Sequence, residues 1–90
     1  MPAQCVLVIE DDPTTRDVLR RYLTRAGLDV IEADTGPGGL DAFARACADL
    51  VILDLMLPGI DGLEVCRRIR RTSAVPIMIL TALGSESDRV

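Results

Sequence analysis

The chain predicts an α/β fold built on a doubly wound parallel sheet, and three observations carry that expectation. Short apolar runs at Cys5–Ile9, 50–53 and 76–80 show no polar alternation, which suits strands covered on both faces. Stretches with helical spacing of apolar residues separate these runs, giving the order β-α-β-α-β-α-β and the start of a further helix. The strands end in polar groups: Glu10-Asp11 after the first, Asp54 at the end of the third, Thr81 after the fourth. Open α/β sheets bind their ligands beyond the carboxyl ends of the strands.

The first strand, Cys5–Ile9, is continuous and β-branched, and Glu10-Asp11-Asp12-Pro13 follows it. Asp12 suits an N-cap and Pro13 the first helical position, where a missing N–H costs nothing. The next helix carries an apolar stripe of Val18, Leu19, Tyr22, Leu23 and Ala26, and Gly27 stops it. Arg16, Arg20, Arg21 and Arg25 fall mainly on the other side and read as a solvated face.

Residues 28–33 alternate more, with Val30 and Ile31 between acids, as an edge strand does. Thr35-Gly36-Pro37-Gly38-Gly39 makes a turn and helix entry, followed by a stripe of Leu40, Phe43, Ala44 and Cys47. Glycines in the first turn cost about 1 kcal/mol each, so this helix is expected to be the least stable. The glycines do not form a phosphate loop. No Lys-Ser/Thr follows them, and they come after the second strand rather than the first.

The run 50–54 is the centre of the chain: aliphatic residues lead straight into Asp54, and Pro58-Gly59 turns the chain shortly after. Asp61-Gly62-Leu63-Glu64 has the form of a capping pair, with Val65, Cys66 and Ile69 as the buried stripe behind it. Arg67, Arg68, Arg70 and Arg71 crowd the end of that helix, where cations complement the dipole. Residues 76–80 make a fourth buried strand, and Ser85 caps a new helix one turn before Val90.

Ninety residues allow one domain with a modest core, and residues 1–90 are read as that domain. Its aromatic content is Tyr22 and Phe43 alone, so Val, Ile, Leu, Ala and Met must fill the interior. A net charge of −4 argues against nucleic-acid binding by this segment. All basic residues are arginines; the absence of lysine and histidine excludes a His-based triad and a His-ligated zinc in this chain. Cys5, Cys47 and Cys66 sit among apolar neighbours and read as small core residues in a reducing compartment. With neither a basic leader nor a long apolar span, the expectation is a cytoplasmic domain without membrane contact.

If the strands are neighbours, Glu10, Asp11, Asp54 and the Thr81 hydroxyl converge on one crevice. Close anions raise one another's pKa unless a cation joins them. Oxygen ligands without histidine or thiolate favour a hard divalent ion, Mg²⁺ with Mn²⁺ tolerated.

Three segments together resemble the receiver domain of bacterial two-component response regulators, of the CheY-like superfamily. They are Val8-Ile9-Glu10-Asp11-Asp12, the run from Asp54 through Pro58-Gly59-Ile60-Asp61-Gly62, and Pro76-Ile77-Met78-Ile79-Leu80-Thr81-Ala82. The resemblance implies a flavodoxin-like sheet of order 2-1-3-4, with the family's fifth strand and fifth helix missing beyond the start of helix four. It implies that Asp54 is the phosphoacceptor and that Glu10, Asp11, Asp54 and the Met56 backbone carbonyl hold Mg²⁺. Thr81 matches the hydroxyl that binds the phosphoryl group and switches the loop. Implied partners are a sensor histidine kinase, DNA only through a C-terminal domain absent here, and a second copy through the exposed fourth strand or the face left by the missing helix. Residues 87–90 resemble receivers joined to winged-helix domains, which implies a transcription-regulator output.

The family's lysine at the end of strand five has no counterpart, so self-phosphorylation is expected to be impaired. The alternative reading is a degenerate or truncated receiver that acts as a dimerisation module without phosphotransfer. An enzyme is not expected. An aspartyl-phosphate phosphatase wants a second acid where Met56 stands, and a dinucleotide oxidoreductase wants glycines where Glu10 and Asp11 stand.

Overall fold

The computed structural model describes residues 4–80. The expected alternation is observed: β1 (Cys5–Ile9), α1 (Pro13–Arg25), β2 (Asp29–Ala33), α2 (Gly36–Arg45), β3 (Leu50–Asp54), α3 (Gly62–Arg70) and β4 (Ile77–Leu80). Thr81 and the helix expected from Ser85 lie outside the described residues. All pairings are parallel and the sheet order is β2-β1-β3-β4, as the resemblance implied.

Side chains alternate across a strand, and that alternation divides the core in two. Leu7, Ile9, Val51 and Leu53 point to one face, where Leu57, Val65 and Ile69 join them and Leu40, Phe43 and Cys66 pack alongside. Val6, Val8 and Ile52 point to the other, against Leu19 and Leu23 of α1. Thus α2 and α3 cover one side of the sheet and α1 the other, which is why both faces of β1 and β3 read as apolar.

Helix α1 starts as its sequence requires: the Asp12 side chain accepts from the Thr15 N–H at 2.9 Å, with Pro13 in the first turn. It ends in a Schellman motif, the Gly27 N–H on the Thr24 carbonyl and the Leu28 N–H on the Leu23 carbonyl, with Gly27 at φ 87°. Its apolar stripe is narrower than its spacing suggests. Leu19 and Leu23 meet the sheet, whereas Val18 and Tyr22 are 46% and 69% exposed and Ala26 is exposed too. The two strips stand about 100° apart on the helix, so one flat sheet cannot bury both. Tyr22→Ala is therefore expected to change unfolding free energy by less than about 0.5 kcal/mol in a urea titration.

In α2, Thr35 rather than a glycine provides the cap, accepting from the Gly38 N–H at 3.0 Å. Gly36 and Gly39 are buried and form the packed side with Leu40 and Phe43, while Ala44 and Cys47 are exposed. A Cβ on Gly39 would lie 2.5 Å from Ile9 Cδ1, and one on Gly36 2.0 Å from Ile60 Cγ2. The glycines that weaken the isolated helix thus let its backbone sit close to the sheet; the helix ends at Arg45, before the expected stripe reaches Cys47, which is left exposed in the connection to β3. Cys47 is accordingly not a core residue; Cys5 and Cys66 are partly buried.

Asp61 caps α3 through the Leu63 N–H, but the reciprocal half of the capping pair is not observed, because Glu64 turns to Arg67 and Arg68 at 2.9 and 3.0 Å. The fourth strand is less buried than its composition suggests. Among the described residues β4 pairs on one side only, leaving Met78 52% and Ile79 38% exposed.

Candidate functional site

The parallel register delivers the acids. Ile9 of β1 lies beside Leu53 of β3, so the next residue of each strand, Glu10 and Asp54, emerge side by side. β1 gains one further rung, the Glu10 N–H on the Ala33 carbonyl at 3.0 Å, before the chain turns into α1. One oxygen from each of Glu10, Asp11 and Asp54 lies within 4.8 Å of the others. The three acids proposed from sequence are therefore together. Met56, in the loop that follows, is exposed and borders an open depression with Asp11, Pro58, Gly59 and Asp61. Asp54 pairs in register with Leu80, the residue before Thr81, and Thr81 itself lies outside the described residues.

The acids differ in setting: Glu10 is buried, Asp54 half-buried, Asp11 exposed. Glu10 Oε2 accepts from the Asp12 N–H at 2.9 Å, and Asp54 Oδ1 from the Met56 N–H at 2.9 Å. Each bond fixes one oxygen of its carboxylate to the backbone. Burial, aided by the nearby Asp54 and Asp11 carboxylates, pushes the Glu10 carboxyl up to about 7, against the lowering effect of the Asp12 N–H. Asp12 keeps its own carboxyl below the usual carboxylate range through its bonds to Thr15, so it serves α1 and not the cluster.

A small divalent cation fits this donor set. The ligands are all oxygens, and a buried carboxyl held near neutrality by its neighbours is relieved by a cation in their midst. Gly62 supports the loop from behind. Its N–H donates to the Leu55 carbonyl at 3.4 Å, and a Cβ there would lie 2.6 Å from Leu55 Cα and 2.7 Å from the Asp54 carbonyl oxygen.

Sequence reading missed one participant. Arg16, taken for a solvated arginine, instead reaches back from α1, its Nη1 donating to the carbonyls of Glu10 at 3.1 Å and Asp11 at 3.3 Å. Its position one turn into the helix after the acids was the available signal.

A parallel 2-1-3-4 sheet with an acidic cluster at its carboxyl edge defines an α/β domain of flavodoxin-like topology, and the comparisons narrow it. The chain belongs to the response regulator receiver domain family, whose model matches residues 6–90. Receiver domains are regulatory phosphoacceptor modules of two-component signalling rather than conventional enzymes. Among curated relatives, the transcriptional activator protein PfeR of Pseudomonas aeruginosa is 43% identical over the whole chain, which covers 30% of PfeR. The transcriptional regulatory protein AfsQ1 of Streptomyces coelicolor is 51% identical over 94% of the chain, which covers 38% of AfsQ1. The chain thus spans about a third of the length of these relatives.

Among solved structures, the BeF3-activated receiver domain of Klebsiella pneumoniae RstA superposes with a TM-score of 0.85 at 36% identity, over 94% of this chain and 73% of that one. Thermotoga maritima TrrA in complex with Mg²⁺-BeF gives a TM-score of 0.83 at 38% identity, covering 96% and 76%. TrrA in complex with the histidine kinase ThkA gives 0.81 at 39%, covering 88% and 69%. No helix among the described residues is long and apolar enough to cross a membrane.

Proposed function

We propose that Asp54 accepts a phosphoryl group from a sensor histidine kinase, with Mg²⁺ (or Mn²⁺) held by Glu10, Asp11, Asp54 and the Met56 backbone carbonyl. The observation that carries this reading is the meeting of three carboxylates at the ends of β1 and β3. The Mg²⁺-BeF complex of TrrA and the ThkA–TrrA complex support the ion and the partner by similarity. The ion's contribution is charge neutralisation at the anionic cluster.

The protein's own groups set up the displacement. The Met56 N–H holds Asp54 Oδ1, which leaves Oδ2 as the proposed nucleophile toward phosphorus, the P–N bond of a phosphohistidine breaking as its electron pair leaves with the imidazole. The product is an acyl phosphate on Asp54, bringing close to two negative charges and three acceptor oxygens. Thr81 is the proposed donor to one of those oxygens, and its movement draws the loop after β4 toward the site. The output we assign is transcription regulation, after PfeR and AfsQ1, with DNA contact made outside this acidic segment. A cytoplasmic location follows from that role.

Acetyl phosphate with Mg²⁺, followed by intact-mass measurement, tests the reading. One phosphoryl adduct should form, and both Asp54→Asn and metal chelation should abolish it. An adduct that persists in Asp54→Asn removes Asp54 from the role. The exposed Met78 and Ile79 on β4 favour a second reading: an interaction module that pairs with another copy without phosphotransfer. A monodisperse monomer in light scattering at tens of micromolar, on the order of ordinary assay conditions, would count against it.

A further inference from the structure

We propose that Arg16 is a positioning residue for the acidic pair, clamping the carbonyls of Glu10 and Asp11, and that Glu32 holds the clamp. The proposal rests on the reading of Glu10 and Asp11 as metal ligands. Backbone pairing of β1 with β2 ends at the Glu10 N–H on the Ala33 carbonyl. One residue later the chain must turn through Asp11 into α1, and this is where Arg16 acts.

The Arg16 side chain is 22% exposed, and its guanidinium donates three hydrogen bonds. Nη1 donates to the carbonyl oxygens of Glu10 and Asp11 at 3.1 and 3.3 Å, and Nε donates to Glu32 Oε1 at 3.3 Å. The other Glu32 oxygen forms an ion pair with Arg20 Nε at 3.2 Å, and Arg20 is itself paired with Asp17. The planar guanidinium thus ties two successive peptide units of the acidic loop to β2 and to the first turns of α1. Rotation of either unit would swing the attached carboxylate, so fixing both carbonyls fixes the direction in which Glu10 and Asp11 present their oxygens. Arg16 touches no carboxylate of the cluster and acts only through the backbone.

The sign of one measurement separates positioning from simple charge. A cation beside a cation site repels the metal, so removing Arg16 should tighten Mg²⁺ binding if only Coulomb forces matter. If Arg16 positions the ligands, removal should loosen it. Outer partners of metal ligands are typically worth about ten- to a hundredfold in affinity.

The dissociation constant for Mg²⁺, from competition with Mn²⁺ followed by electron paramagnetic resonance, supplies the readout. Arg16→Gln is expected to weaken binding about tenfold, and Arg16→Lys to recover only part of it. Glu32→Gln should weaken binding severalfold, and the double variant should be no weaker than Arg16→Gln alone, since Glu32 works through Arg16. Binding by Arg16→Gln at or above the unsubstituted affinity, or additive losses in the double variant, would overturn the clamp. Should Arg16→Gln not fold, Glu32→Gln decides: unchanged affinity there overturns the proposal. Asp11→Asn is the reference. Undiminished binding in that variant discards the metal-site reading itself, whereas its loss beside an intact Arg16→Gln discards the clamp alone.

Discussion

Without divalent metal at pH 8, Glu10→Gln is expected to melt on the order of 10 °C above the unsubstituted protein. The Glu10 carboxyl is raised from 4.5 to about 7 by burial and by its acidic neighbours. A carboxyl raised on folding contributes stability that is complete below its unfolded pKa, and that contribution disappears as pH climbs through the folded value. The metal-free protein should therefore lose stability between about pH 4.5 and 7, by at most about 1.4 kcal/mol per pH unit and on the order of 3 kcal/mol in all. The window is favourable for measurement, because the chain contains no histidine to titrate there. Carboxylates lowered on folding, Asp12 and Glu64, act in the opposite direction but at more acid pH. Glutamine keeps an oxygen for the Asp12 N–H and removes the charge, so its variant should show a flat profile from pH 5 to 8, while Mg²⁺ should stabilise the unsubstituted protein most at high pH. Thermal melts at matched pH suffice, and equal melting temperatures for the two proteins at pH 8 would refute the account.

Gly62→Ala is expected to destabilise the protein by about 3 kcal/mol, although helix propensity alone predicts the opposite sign. Gly62 opens α3, where alanine is ordinarily better than glycine by about 1 kcal/mol. Its Cβ, however, would stand 2.6 Å from Leu55 Cα and 2.7 Å from the Asp54 carbonyl oxygen. Both are backbone atoms, so no side-chain rotation makes room and the β3–α3 loop must move. That loop carries Asp54 and Met56, so Mg²⁺ affinity should fall together with stability. Leu63→Ala, next in the same helix at a half-exposed position, provides the contrast with a cost below about 1 kcal/mol. A Gly62→Ala variant as stable as the parent in urea denaturation would show that the contact relaxes freely.

Much of this was written locally. Continuous apolar runs at β1 and β3 announced strands buried on both faces, and the two-core arrangement around Leu7 and Val8 is the consequence. Asp12-Pro13, Gly27 and Asp61 marked helix ends because capping depends on a few adjacent residues. Where the reading fell short, the deciding contact lay far along the chain. Tyr22 and Cys47 look like core residues by spacing, but the sheet meets the strip of α1 beside Tyr22, and α2 ends at Arg45 before its stripe reaches Cys47. Arg16 looked solvated because its partners, two carbonyls and Glu32, are invisible to side-chain periodicity.

By itself the sequence determined which residues carry charge into the site and that they stand at strand ends, since strand length and chain order are local properties. Only the tertiary structure decided that Ile9 and Leu53 share a rung, bringing Glu10, Asp11 and Asp54 within 4.8 Å of one another. It also decided that Arg16 turns inward to the acidic loop. Register and close backbone approach arise from packing between distant segments, and no window of neighbouring residues encodes them.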